Sequence, residues 1–275
     1  MDTTPFTVDE ALMARHRTMW ATGDYPRVAR EVVAPLGEVL VDALDVCSGE
    51  QVLDIAAGTG NAAAAAARRG ADVTASDLTP ELLAAGRAAF GDVSLTWDEA
   101  NAEDLPYDDD SFDVTMSCIG VMFAPHHQRA ADEMLRVARP GGRIGVVSWT
   151  PDGTIGQLFA TMKPYVAAPP AGASPPPLWG DAAHVATLLG DRVHDVTVRR
   201  GTLVVDHFAD AAAFADYFTR HYGPTIVARR ANADDPERLA ALDADLVALG
   251  EREGRRGQRG FTMGWDHLAV TATVS

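Results

Sequence analysis

The chain is predicted to fold as an α/β protein around a mainly parallel sheet, and two observations in its first half carry that expectation. Short apolar runs alternate with helix-forming segments, a pattern that calls for crossover connections between parallel strands. One such run ends in small residues directly before an alanine-rich helix, at Val52-Leu53-Asp54-Ile55-Ala56-Ala57-Gly58-Thr59-Gly60-Asn61. The chain has 275 residues, 47% of them hydrophobic. That suffices for one α/β domain with a sizeable insertion, or for two small domains.

In chain order, residues 12–45 read as a helical lead-in with breaks at Pro26 and Pro35. Residues 51–56 form the first strand. Residues 61–69 are almost pure alanine, the best helix former. Residues 71–76 are apolar again. Thr79-Pro80-Glu81 then supplies an N-cap, a proline at the first helical position and an acid in the first turn of a helix running to about residue 90. Residues 93–97, 112–119 and 143–149 read as the third, fourth and fifth strands. Residues 128–138 form a helix that Pro140-Gly141-Gly142 stops. In the second half, residues 163–177 are rich in Pro and Ala and read as a loop. Residues 181–189, 209–222 and 236–252 read as helices, and residues 193–205 as one or two strands. Residues 261–274 read as a closing strand, with alternating apolar residues from Trp265 onward.

Composition narrows the function classes. The formal net charge of −16 repels a polyanion, so no nucleic-acid partner is expected. No apolar run approaches the roughly 20 residues that span a membrane. Residues 1–10 are polar and acidic, without a basic region leading into an apolar one, so no secretory signal is expected. Cys47 and Cys118 make no metal spacing, the histidines show no ligand spacing with carboxylates, and a reduced, cytoplasmic setting fits.

The glycine loop admits two readings from its residues alone. Gly58-x-Gly60-x-x-Ala63 could set a dinucleotide pyrophosphate over a helix N-terminus, as in a nicotinamide-dependent oxidoreductase, or it could be a bare strand–helix turn. Asp54 weighs against the dinucleotide. A carboxylate at the strand end would repel phosphates, and it needs a cationic group or N–H donors when buried.

Several motifs in register extend the reading. The stretch Leu53 to Gly60 resembles hydrophobic-Leu-Asp-x-Gly-x-Gly-x-Gly of the class I S-adenosylmethionine-dependent methyltransferases, specifically the UbiE-like, type 11 group, with Ala56 in place of the first glycine. Thr74-Ala75-Ser76-Asp77-Leu78 follows, then Asn101-Ala102-Glu103-Asp104-Leu105-Pro106-Tyr107, which is similar to the family's Asp-Ala-Glu-x-Leu-Pro-Phe. Glu133-Met134-Leu135-Arg136-Val137-Ala138-Arg139-Pro140-Gly141-Gly142 is similar to Glu-Met-x-Arg-Val-Leu-Lys-Pro-Gly-Gly. The match spans roughly residues 35–150. It implies a Rossmann-like, seven-stranded, mainly parallel sheet with an antiparallel last strand, helices on both faces and a helical cap insertion. The parts are a lead-in or lid (1–45), a cofactor-binding core (46–150), a substrate cap with the remaining sheet strand (151–262) and a closing strand (263–275).

The resemblance further implies S-adenosylmethionine as cofactor and S-adenosylhomocysteine as product. Asp54, Ala56, Gly58 and Gly60 would face the methionine portion. Asp77 would hold the ribose hydroxyls, since an acceptor-only carboxylate suits two hydroxyl donors. Leu78 would cover the adenine face and Asn101 with Ala102 its edge, while Cys118 and Tyr25 complete the cofactor set. Met122 and Phe123 would line the substrate pocket, joined by Trp20, Tyr217 and His221. His126 and His127, past the fourth strand, and Tyr222 are candidate catalytic groups, while the plainer reading is that the histidines begin and cap the following helix and that Tyr222 simply ends one. The aromatics Phe159, Tyr165, Trp179, Phe214, Tyr217, Phe218 and Tyr222 could line a pocket or hold the cap to the sheet. Gly223-Pro224 reads as a helix stop. The acidic run from Asp98 to Asp113 reads mostly as a solvated face, and Arg252, Arg255, Arg256 and Arg259 as a solvated loop. The expected activity is methyl transfer to an O-, carboxyl-, N- or C-nucleophile of a small molecule by a monomer or homodimer. A non-methylating protein that keeps the cofactor is the remaining alternative.

Overall fold

In the computed structural model, which describes residues 9–258 and 260–275, the lead-in is a run of short helices. These are α1 (Glu10–Trp20), α2 (Tyr25–Val28), a π-helical turn (Ala29–Val33) and α3 (Pro35–Ala43). Pro26 stands at the second helical position of α2 and Pro35 at the first of α3. They therefore start helices rather than break one, because a missing N–H costs nothing there. The core then alternates as β1 (Gln51–Ile55), α4 (Asn61–Arg68), β2 (Asp72–Asp77), α5 (Pro80–Ala89), β3 (Thr96–Glu99), β4 (Phe112–Cys118), α6 (His127–Arg136) and β5 (Ala138–Trp149). The second half adds α7 (Thr154–Met162), α8 (Ala182–Leu189), β6 (Val193–Val205), α9 (Ala211–His221), α10 (Gly223–Ala231), α11 (Pro236–Glu253), β7 (Gly254–Gly257) and β8 (Gly260–Val274). Arg259 of the arginine-rich stretch and residues 1–8 lie outside the described residues.

The sheet runs β3-β2-β1-β4-β5-β8-β6, with β7 paired to β8. The first five strands are parallel, and β8 is antiparallel to both β5 and β6. The α/β class and the antiparallel last strand thus agree with the sequence pattern. Central strands are covered on both faces, so Val52, Leu53, Ile55, Val114 and Met116 are all buried, as continuous apolar runs in parallel sheets require. Alanine in α4 has a packing purpose. Ala62 to Ala66 are buried, and small side chains let the helix approach the strands and α3 closely. Much of the acidity caps helices: Asp9, Asp24, Asp181, Asp210 and Asp235 each accept a backbone N–H at a helix start.

Several local expectations need correction. The third strand lies at 96–99, not 93–97, because its register is set by pairing Thr74 with Thr96 through Asp77 with Glu99. Helix α6 ends at Arg136, ahead of the Pro-Gly-Gly. Residues 139–142 instead bulge within the β5 segment, where the register with β4 shifts between Phe112 and Val114. Thr79 precedes α5 without a side-chain cap. Gly223-Pro224 opens α10, with the proline in its first turn. Of the glycine-studded arginines, Arg252 lies in α11, while Arg255 and Arg256 lie in the hairpin arm β7 and pair with Thr262 and Phe261. Paired backbone N–H groups, not a free loop, explain their order.

The second half is anchored by aromatic packing. Trp265 on β8 is buried and meets Trp149 at 5.8 Å, Phe208 at 6.3 Å and Phe218 at 5.8 Å between ring centroids. Trp265→Ala should destabilise the fold by about 3–5 kcal/mol, the range for emptying a buried aromatic site. The indole N–H has no hydrogen-bond partner. Trp265→Phe should therefore cost much less, since it keeps a ring and removes an unpaired donor. Denaturant titration of both variants checks the ordering.

Candidate functional site

A cleft opens at the C-terminal ends of β1, β2 and β4, beneath α1 and α2, with about 940 Å³ of empty space including its mouth. Ligands of parallel α/β sheets bind at this edge. The floor is the turn from β1 into α4, where Ala56, Gly58 and Gly60 have φ of 54°, 57° and 78°. Left-handed backbone suits glycine and costs an L-residue roughly 1–2 kcal/mol, so Ala56 is strained. The two glycines serve different ends. A Cβ on Gly58 would meet only the Tyr25 ring, at 3.6 Å, whereas one on Gly60 would lie 2.5 Å from the Trp97 ring. Gly58 faces the cleft, while Gly60 lets Trp97 close against α4.

Two buried carboxylates dominate the electrostatics. Asp77 accepts the Gly58 N–H at 2.8 Å and the Thr79 N–H at 2.8 Å, one on each oxygen. Burial raises its carboxyl pKa, and those N–H bonds oppose the rise. Asp54 accepts the Ala63 N–H at 2.9 Å through Oδ2, but its buried Oδ1 has no partner. Burial pushes the Asp54 carboxyl up to about 7, opposed by the Ala63 N–H and reinforced by the charge of Asp77. Burial also raises the Tyr25 hydroxyl and the Cys118 thiol, so both stay protonated at neutral pH. Asn101 Oδ1 accepts the Glu103 N–H at 3.0 Å, which leaves its buried Nδ2 as an unpartnered donor. The group it presents is thus an N–H donor. Among the described residues, no lysine or arginine lines the cleft.

These features fit the ligand that the motif resemblance implies. The unpartnered Asp54 oxygen suits an ammonium group, the open space over Gly58 suits an amino-acid chain, and Asn101 Nδ2 suits a ring-nitrogen acceptor. Asp77 retains lone pairs for hydroxyl donors.

The structure brings Trp20, Tyr25, Asp54, Ala56, Gly58, Asp77, Leu78, Asn101, Ala102, Cys118 and Phe123 to the cleft wall. Other residues singled out from sequence lie elsewhere. Gly60 sits behind Trp97. Met122 is fully buried. The His126 ring contacts Glu103 Oε2 at 3.0 Å, and His127 Nδ1 meets His184 Nε2 at 3.0 Å. The Tyr217 hydroxyl donates to Glu31 at 3.1 Å. The His221 carbonyl accepts the Asp24 N–H at 2.9 Å. Tyr222 packs behind the wall, 5.9 Å from Trp20 and 6.5 Å from Tyr25. Among the described residues, none C-terminal to Pro125 lines the cleft. The second-half aromatics form a layer behind it, as Phe159 does 5.8 Å behind Phe123.

Sequence reading missed several contributors. His16 and Met13 line the cleft from α1. Gly120 lines it too, and a Cβ there would lie 2.1 Å from the Ala56 carbonyl oxygen. Arg17 ties the lid down, donating to the Leu78 carbonyl at 2.9 Å and pairing with Glu99. Glu103 is no solvated acid: it is buried and accepts the His126 N–H at 2.7 Å. Only the spacing of Met13, His16 and Trp20, which places them on one helical face, was available as a signal.

Comparison with known proteins agrees with this geometry. Residues 53–146 match the family described as "Methyltransferase domain". Over 271 residues, 98% of this chain and 97% of the other, the chain is 48% identical to an uncharacterized protein of Mycobacterium tuberculosis (strain ATCC 25618 / H37Rv). It is 42% identical over 104 residues to a demethylmenaquinone methyltransferase of Clavibacter sepedonicus, covering 38% of this chain and 42% of that one. In fold it is similar to a geranyl diphosphate methyltransferase solved in complex with SAM, with a TM-score of 0.52 at 16% identity, covering 88% of this chain and 85% of that one.

The contrasting glycines separate stability from ligand contact. Gly60→Ala should lower stability by about 1–3 kcal/mol, through left-handed strain and the Trp97 contact. Gly58→Ala should lose only the strain component, about 1–2 kcal/mol, and should crowd the cleft instead. Thermal melts of both variants test the order.

Proposed function

Since the chain belongs to the class I S-adenosylmethionine-dependent methyltransferases of the type 11 group, we propose that this cleft holds the cofactor and a small, uncharged acceptor side by side. The observation that carries the assignment is the unpartnered, buried Asp54 oxygen above the open backbone of Gly58. When bound, S-adenosylmethionine supplies a methyl group on a positively charged sulfur. Asp54 would pair with the amino-acid ammonium, Asp77 would accept the ribose hydroxyls, Leu78 would cover the adenine, and Asn101 would donate to its ring edge. Tyr25 and Cys118, kept protonated, close the wall without adding charge. A dinucleotide is disfavoured, because its phosphates would face Asp54 and Asp77 with no lysine or arginine lining the cleft among the described residues.

The acceptor side is formed by Trp20, Phe123 and the 118–125 turn, so the apolar wall selects a small, largely apolar molecule. Arg17 holds the lid closed over it. Positioning supplies much of the acceleration for such a transfer. Methyl transfer from labelled cofactor to a hydroxylated metabolite, with multiple turnovers, is the test against a non-methylating cofactor-binding role.

Asp77→Ala should weaken S-adenosylhomocysteine binding by about 1.5–3 kcal/mol, the range for hydrogen bonds to a charged group. Calorimetric titration measures this directly. Asp54 gives a prediction with two signs. Binding an ammonium needs the ionised carboxylate, so affinity should fall about tenfold per pH unit below about 7. Asp54→Asn should flatten that dependence and weaken binding. An acid whose pKa is higher folded than unfolded loses folding stability as pH rises between the two values. Asp54→Asn should therefore raise the melting temperature of the cofactor-free protein at pH 8. Titrations and melts from pH 5 to 8 read both effects.

A further inference from the structure

His16 is a titratable side chain of the cleft wall that the cofactor roles leave unused. It stands one helical turn before Trp20 on α1, so both project from one face toward the cleft. Its imidazole takes part in no hydrogen bond or ion pair among the described residues. The other histidines near the strand edge are engaged, His126 with Glu103 and His127 with His184. Burial holds the His16 pKa below the ordinary histidine value. The carboxylate of Glu103, on the loop after β3, opposes this, and Arg15 on the same helix adds to it. At neutral pH the ring is therefore uncharged, with one nitrogen lone pair free.

The surrounding charges constrain the acceptor. Asp54 and Asp77 stand in the wall, and no lysine or arginine lines the cleft among the described residues. An anionic acceptor would enter against these carboxylates with no lysine or arginine of the wall to hold it. A neutral hydroxyl avoids that repulsion but must lose a proton as its oxygen attacks. Trp20 meets Phe123 at 4.6 Å and Tyr25 at 5.2 Å, both edge to face, and these rings suit a flat aromatic body.

Resting on the methyltransferase reading, we propose that His16 is the general base for a neutral, ring-bearing hydroxyl acceptor, phenolic or enolic. The acceptor oxygen forms a bond to the methyl carbon while the carbon–sulfur bond breaks, and its electron pair stays on sulfur. The hydroxyl proton passes to the free ring nitrogen of His16. The positive charge lost at sulfur reappears on the imidazolium, which then releases its proton to water at the cleft mouth.

The test uses the full chain loaded with S-adenosylhomocysteine, with 2-naphthol and 2-naphthoate as probes. The neutral naphthol should bind at least about tenfold more tightly than the naphthoate, and its binding should shift the His16 ring-nitrogen resonances. With S-adenosylmethionine and 2-naphthol, His16→Gln should lower kcat by about 10²–10⁴-fold, the usual weight of a general base. Cofactor affinity should stay within about twofold of wild type by calorimetry, with an unchanged acceptor KM. The deficit should shrink along a series of more acidic ring-substituted naphthols, and the acid-side fall in rate should vanish. His16→Asn repeats the comparison should the glutamine variant melt early. Equal binding of naphthoate, absence of naphthol binding, unmoved His16 resonances, or a deficit independent of naphthol acidity would each overturn the proposal. Failure of the wild-type chain to bind S-adenosylhomocysteine would instead overturn the cofactor assignment on which it rests.

Discussion

Two buried carboxylates under one strand edge set the conditions for everything else in the cleft. Asp77 bridges the turn after β1 and the turn after β2 by taking a backbone N–H from each. Asp54, in its electrostatic reach, is only half satisfied. Burial raises the proton affinity of Asp54, and the charge of Asp77 adds to it, so its carboxyl is pushed up to about 7. A cationic ligand removes that penalty. The site is thus less stable empty than its packing alone would make it, a common cost of function.

The rim of the cleft is held by ion pairs that reach across long sequence separations. Glu133 is buried, accepts the Leu105 N–H at 2.8 Å and pairs with Arg129 and Arg136. Arg136 also donates to the Leu105 and Tyr107 carbonyls. The Glu-Met-Leu-Arg motif on α6 therefore clamps the 101–107 loop, which carries Asn101 and Ala102. Burial would raise the Glu133 carboxyl, but its bonds to Arg136 and Leu105 prevail and hold it low. Opposite, Arg17 fixes α1 to the ends of β2 and β3. Charged groups here position loops more than they add stability.

The second half of the chain shapes the site from behind. Tyr222 backs Trp20 and Tyr25, and Phe159 backs Phe123. Trp265 connects that layer to the sheet through Phe208 and Phe218. These contacts fix the rotamers of the rings that do face the cleft. The second half of the chain therefore touches the cleft wall through Trp20, Tyr25 and Phe123, while the facing residues described all come from positions 13–125.

Sequence by itself determined the α/β class, the order of elements and the cleft residues Asp54, Gly58, Asp77 and Asn101. Each of these is a local feature: apolar periodicity, a small-residue turn, an acid at a strand end. Tertiary structure alone decided which rings and histidines line the cleft. His126, His127 and Tyr222 stand close to the strand edge or cleft wall, yet their side chains turn to Glu103, His184 and the aromatic layer. His16, which carries no motif, enters the cleft because Arg17 docks α1 across the strand ends. Gly60 similarly reads as a ligand contact until Trp97, from β3, is seen to fill the space beside it. The physical reason is the range of the interaction. Hydrogen bonds between neighbouring residues and hydrophobic period repeat within a few positions, whereas a side chain's final neighbour is set by elements tens of residues away.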